Sequence, residues 1–256
     1  MIASGSEWAA LEYCDDLSRL PPDRLKRMMA AADDILTVVE EAAGRGSHII
    51  ADLIGPAPFT VGEHYPPDDV YDGVTGCGYY YHAHPSGPRN TADGPRDYSE
   101  HGHFHLFVNR RAVPRGTKPL QRPSRPVKNW GLCHLAAIVI APSGVPSRLF
   151  TVHQGLSQEW IYPAPVVMEL LDRFAIADTG RTEPVTRFVV AMAALFRPQI
   201  TFLLEQRDWE LASLPCPRRP RLGETLDITS EIAIDLDRQI AAVERALSAS
   251  QASAAR

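Results

Sequence analysis

Three histidines recur at every second position in the run Glu100-His101-Gly102-His103-Phe104-His105-Leu106-Phe107. In an extended strand successive side chains point to opposite faces, so His101, His103 and His105 line one face while Gly102, Phe104 and Leu106 line the other. A second run of the same kind, Tyr79-Tyr80-Tyr81-His82-Ala83-His84, puts Tyr80, His82 and His84 on a shared face by the same rule. The polar Pro/Gly/Asn/Asp segment at 85–99 lets the chain double back between the runs, and five histidines then converge on one patch.

That pattern points to a metal site. Imidazole ligates Fe, Zn, Cu and Ni, and a His-x-His pair on one strand has Cα atoms about 6 to 7 Å apart on one face, close enough for both rings to reach one ion. A third histidine from a neighbouring strand leaves a position open for water or substrate. The candidate ligands are His82, His84, His103, His105 and His134. Tyr80, Glu100 and His101 are the candidate catalytic residues, although parity turns Glu100 away from His101 if the strand already includes it. Arg110, Arg111 and His153 are the candidate contacts to a small, anionic substrate. The competing reading makes these histidines half-buried, hydrogen-bonded parts of a sheet. Two such runs strain it, because clustered buried imidazoles must stay neutral and still satisfy every ring nitrogen. His64 stands outside the runs and reads as structural or solvated.

The run from His101 to Phe107 resembles the histidine-triad signature over about seven residues. The resemblance implies a nucleotide hydrolase or transferase in which His103 attacks a phosphate and His101 and His105 orient it; Gly102 stands where that family has a bulky apolar residue. His103-Phe104-His105 is also similar to the zinc-binding tripeptide of the alpha carbonic anhydrases, with no wider agreement. The Tyr-Tyr-Tyr-His-Ala-His run, the Glu-His-Gly-His-Phe-His-Leu-Phe run and Leu149-Phe150-Thr151-Val152 together resemble an uncharacterised bacterial domain family, over about residues 60–175. A third class is a non-catalytic metal or haem protein, with Tyr79, Tyr80, Tyr81 and Phe104 lining a flat ligand; the chain has no Cys-x-x-Cys-His attachment motif.

The 256-residue chain has a formal net charge of -5, which argues against a general nucleic-acid binder. Its four cysteines, at 14, 77, 133 and 216, form no Cys-x-x-Cys pair, and reduced thiols fit a cytoplasmic protein. No basic leader precedes an apolar run and no stretch has the roughly 18 apolar residues of a membrane helix. The expected partner is a small molecule rather than a membrane or nucleic acid, and a homo-oligomer is compatible with the sequence.

The elements that must position the histidines follow from period and punctuation. Helices are expected from Ser6 to Leu20, from Asp23 to Ala43, and after Trp160 at Pro163–Phe174, from Glu183, from Pro198 and from near Thr229. Residues 48–54 fit a helix or an extended segment. Strands are expected at 78–84, 101–108, 132–141 and 147–153, the last two joined by Pro142-Ser143-Gly144-Val145-Pro146 as a hairpin. In the third strand Leu132, His134, Ala136, Ile138 and Ile140 share one face; since both its faces are apolar, it should be central in the sheet. Pro56 to Gly73 reads as irregular, and the basic run Asn109–Asn129 as a mobile loop or a lid. The expectation is an α+β fold, a mainly antiparallel sheet packed by N-terminal and C-terminal helices. Its parts are residues 1–54, 55–162 and 163–256 of one compact domain.

Overall fold

A computed structural model describes residues 16–56, 58–84, 87–91, 94–98, 100–123, 131–177, 180, 182–213 and 227–254. Within them the helices are α1 (Pro22–Gly44), α2 (Ile49–Ile54), α3 (Gln154–Ser157), α4 (Ala164–Leu171), α5 (Glu183–Leu195), α6 (Arg197–Ser213) and α7 (Leu236–Ala254). The strands are β1 (Tyr65–Tyr71), β2 (Cys77–His82), β3 (Gly87–Thr91), β4 (Gly94–Tyr98), β5 (Gly102–Asn109), β6 (Leu132–Ile140), β7 (Pro146–Val152) and β8 (Ile228–Ala233). Six strands form one antiparallel sheet in the order β1-β2-β5-β6-β7-β8, and β3 pairs with β4 in a separate hairpin. The chain is therefore α+β, and both histidine strands lie inside the sheet, side by side.

Helix α1 starts where Pro22 occupies the first turn, a position that needs no backbone donor, and Asp23 beside it favours the positive end of the helix. It buries Leu25, Met28, Ala31, Ala32, Ile35, Val38 and Ala42. Leu36 and Val39, which the period also allows, are exposed. This stripe packs on α5 and α7, while α6 lies along β7 and β8. Together the helices cover one sheet face, where Tyr79, Tyr81, Phe104, Leu106, Ala136, Ile138, Ile140 and Leu149 belong to the main core. The other face carries a smaller cluster, Ala137, Val139, Phe150, Val152 and Ile228. The histidines lie on that second face.

Two expectations need correction. The stretch at 56–73 is not wholly irregular, because Tyr65–Tyr71 forms β1; Pro66 and Pro67 are tolerated there since β1 is an edge strand, and its register breaks before Val70. The last helix begins at Leu236 and not near Thr229, for Ile228-Thr229-Ser230-Glu231-Ile232 runs as strand β8 beside β7. Its β-branched residues suit a pleated, buried surface better than a helix. Residues 48–54 are helical, with the His48 Nδ1 capping the Ala51 N–H at 3.2 Å. Of the expected first helix only Asp16–Leu20 lies within the described residues, with Leu17–Arg19 as a turn of 3-10 helix. Cys14, Cys216 and residues 124–130 lie outside them. Among the described residues no single helix is long and apolar enough to cross a membrane.

Candidate metal centre

Antiparallel register brings the two histidine runs together. Tyr80 stands directly opposite His105 and His82 opposite His103. Residues paired in this way share a face, with Cβ atoms about 4.5–5.5 Å apart. His82 Nε2 and His103 Nε2 are 3.0 Å apart. His84 follows just after β2, its ring centroid 4.6 Å from that of His82 and 5.4 Å from that of His103. One nitrogen from each of His82, His84 and His103 lies within 4.8 Å of the others, so the three can hold a metal ion. Two nitrogens bound to one ion at about 2.0–2.1 Å, with bond angles near 90–110°, stand roughly 2.9–3.4 Å apart, a range that contains the His82–His103 separation.

The carboxylate of Glu100 completes the arrangement from three residues upstream. Its Oε1 lies 2.6 Å from His103 Nδ1. A carboxylate accepts, so the ring proton belongs on Nδ1 and the Nε2 lone pair faces His82 and the cavity. Parity is no obstacle to this, because β5 starts at Gly102 and Glu100 is not in the strand.

His105 and His134 sit deeper. His105 Nδ1 is 3.0 Å from His134 Nε2, and both residues are buried. Burial, reinforced by the neighbouring imidazoles, holds His105 well below its ordinary pKa, and burial together with the Arg207 guanidinium takes His134 down to about 3. Both are neutral at pH 7, one donating to the other. His134 reaches this face only because the β5–β6 ladder is irregular. Leu106 pairs with Ala136 but Phe107 pairs with His134, leaving Leu135 as an extra residue. A bulge of this kind reverses the alternation and re-aims a side chain. His134 thus shares a face with Ala137 and Val139, not with Ala136, Ile138 and Ile140 as strict alternation requires.

A cavity of about 110 Å³ opens over the cluster, lined by Tyr80, His82, His84, Glu100, His103 and His105 with Phe150, Val152, Ser157, Asp227 and Ile228. Tyr80 is buried against His64, the rings parallel at 4.0 Å, and His64 Nδ1 is 2.8 Å from the Asp69 carboxylate. Burial, with the carboxyls of Glu159 and Asp69 nearby, raises the Tyr80 phenol well above its ordinary pKa. Glu159 is itself fully buried, and burial pushes it up to about 8, with Asp69 adding to the shift. Neither of its carboxyl oxygens has a hydrogen-bond partner among the described residues.

Four expected site residues stand elsewhere. His101 precedes β5 and leaves the shared face; its Nδ1 is 2.6 Å from the Tyr81 hydroxyl and its ring stacks on Phe59. Arg110 and Arg111 follow the far end of β5, where they line a different cavity. His153 is buried after β7 with its Nε2 3.2 Å from Gln121 Nε2. Sequence reasoning missed Phe150 and Val152, from a strand read only as a hairpin arm, and Asp227 and Ile228, which stand just before the point where a helix was expected to begin. It also missed Glu159, a lone acid in no periodic pattern, and set His64 apart although it packs on Tyr80 and edge-on to His82.

A family model described as a domain of unknown function (DUF6969) matches residues 29–234. No curated protein and no solved structure matches the chain.

Proposed function

The chain belongs to this family of unknown function, DUF6969, and from its geometry we propose that it is a metal-dependent enzyme whose His82, His84 and His103 hold a divalent transition-metal ion. The observation that carries the reading is the trio of imidazole nitrogens within 4.8 Å of one another at the wall of a cavity, with Glu100 fixing the tautomer of one of them. Three neutral nitrogen donors suit Zn, Fe, Cu or Ni, and availability rather than imidazole chemistry selects among these. When bound, such an ion supplies a Lewis acid that polarises an oxygen of the substrate or activates water.

The protein groups around it divide the remaining work. Glu100 holds the proton on His103 Nδ1, so that Nε2 keeps its lone pair. Tyr80 keeps its proton at neutral pH and stands beside the cluster as a hydrogen-bond donor to substrate. Phe150, Val152 and Ile228 form an apolar wall that limits water. The cavity is small, so the substrate is small or enters by one end only. That volume also disfavours haem, since pockets for drug-sized ligands run to roughly 300–1,000 Å³.

The histidine-triad alternative loses one of its three members, because His101 faces Tyr81 and Phe59 and not His103. Elemental analysis of the purified chain tests the metal reading. One ion per chain is expected, with loss in His84→Ala and in His103→Ala. Stoichiometric metal that persists in both variants would contradict these ligands, and a phosphoramidate trapped on His103 with a nucleotide substrate would favour the triad instead.

A further inference from the structure

The basic run after β5 builds a second cavity at the opposite end of that strand. Residues 109–123 contain Arg110, Arg111, Arg115, Lys118 and Arg122 and no Asp or Glu, in a chain of net charge -5. Their path is pinned at both ends. The Arg110 N–H donates to Gly131 O at 2.8 Å, the Leu120 N–H donates to Ile161 O at 2.8 Å, and Gln121 bridges to Ile161. Between the pins lies a cavity of about 610 Å³ whose walls include Asn109, Arg110, Arg111, Arg115, Thr117 and Tyr162 and, among the described residues, no acid. That size falls within the range of small-molecule sites.

One guanidinium is set before any ligand arrives. Arg110 lies over the Trp160 ring, 4.1 Å from its centroid. Stacking fixes the plane of its donor fork. Asn109 Oδ1 accepts the Arg111 N–H at 3.0 Å and Asn109 Nδ2 donates to the Tyr71 hydroxyl at 3.1 Å, which holds the turn that carries Arg111. Three like charges around one cavity without a wall carboxylate repel one another, and an anion within it relieves the repulsion. A phosphate monoester brings nearly two charges and three acceptor oxygens, which suits forked donors converging from several sides; a monocarboxylate leaves most of the positive charge uncompensated.

We propose that the cavity walled by Arg110, Arg111 and Arg115 binds a small phosphorylated molecule, separately from the histidine centre. From His103 to Asn109 is six steps of extended strand, roughly 20 Å. The two sites are therefore independent in contact, and this proposal stands whether or not the histidines hold a metal.

The test is calorimetric titration of the full chain at low ionic strength with inorganic phosphate, ribose 5-phosphate, citrate and a short single-stranded oligonucleotide. One saturable site per chain for ribose 5-phosphate is expected, tighter than for inorganic phosphate or citrate. Arg111→Gln and Arg115→Gln should each weaken it at least tenfold, the scale of one lost charge-assisted hydrogen bond, and His103→Ala should leave it unchanged. Both arginines are exposed, so their variants should melt like the parent chain. Absence of saturable binding, undiminished binding in both arginine variants, or its loss in His103→Ala would overturn the site. Citrate binding as tightly would overturn the phosphate assignment, and an oligonucleotide binding a hundredfold tighter would overturn the small-molecule one.

Discussion

The Nδ1 of His103 lies 2.6 Å from the Oε1 of Glu100, a residue just outside the strand that carries the histidine. Carboxylates that hold a ligand histidine typically contribute about 10–100-fold to metal affinity. Glu100→Gln keeps the shape and removes the charge, so it should weaken metal binding by a factor in that range while the fold persists. Competition with a chelator of known affinity reads this directly, and an unchanged affinity would remove Glu100 from the centre.

Gly102 gives room to Tyr81. A Cβ at Gly102 would stand 2.5 Å from His82 O and 2.6 Å from the Tyr81 hydroxyl oxygen. Both neighbours are fixed, one in the β2–β5 ladder and the other by its bond to His101. Gly102→Ala should therefore destabilise by about 1–3 kcal/mol, the cost of overpacking a closed site. Denaturant unfolding measures it, and a change below about 0.5 kcal/mol would show that β2 and β5 can part without cost.

Glu159 makes stability depend on pH. Burial raises its folded-state pKa to about 8, against about 4.3 in an unfolded chain, so the native state keeps a proton that the unfolded state has released. The associated stability is fully present below about pH 4 and is lost as pH rises through 8. Glu159→Gln does not titrate, and its stability relative to the parent should rise over that window by on the order of a few kcal/mol. Unfolding of chelator-treated protein at pH 5 and pH 8 measures the difference; a difference independent of pH would contradict the buried, neutral carboxyl.

Asp172 acts in the opposite sense. It pairs with Arg24 on α1 and with Arg197 Nε at 2.7 Å on α6, tying three helices at one corner. Burial raises its pKa, but the hydrogen bonds from Arg197 and Arg24 outweigh that and hold it well below the usual carboxylate range. Its contribution is present above the unfolded value of about 3.9 and fades as pH falls through the lower folded value. Asp172→Asn should cost on the order of 1 kcal/mol at pH 7, since the group is partly exposed, and clearly less near pH 2. Equal destabilisation at both pH values would show that the carboxylate charge plays no part.

The alternation of His103 and His105 with Phe104 and Leu106 was enough to place a strand and its histidine face, because period two survives wherever one face is polar and the other packs on helices. The hairpin at 142–146 and the central place of β6 followed from a turn signal and from two apolar faces. His134 came to the right face by a device that parity does not contain. The bulge at Leu135 depends on how β5 and β6 pair, a long-range property. His101 was misplaced for the opposite reason: the strand stops one residue short of it, and a local hydroxyl partner in Tyr81 takes the ring. β8 was hidden because Ile232 falls in step with the helix that follows, so one apolar residue satisfied two periods. Its contribution of Ile228 to the cavity wall was hidden with it.

X-ray absorption at the edge of the bound metal tests the central claim most directly. Loaded parent protein should show about three imidazole nitrogen scatterers at roughly 2.0–2.1 Å, the distance of histidine-bound zinc. His84→Ala, which loses its ion on purification, should show about two once reloaded with excess metal, with the remaining imidazole scattering intact. A sulfur shell, an oxygen-only shell, or the same imidazole count in His84→Ala would contradict the assignment of His82, His84 and His103 to one ion.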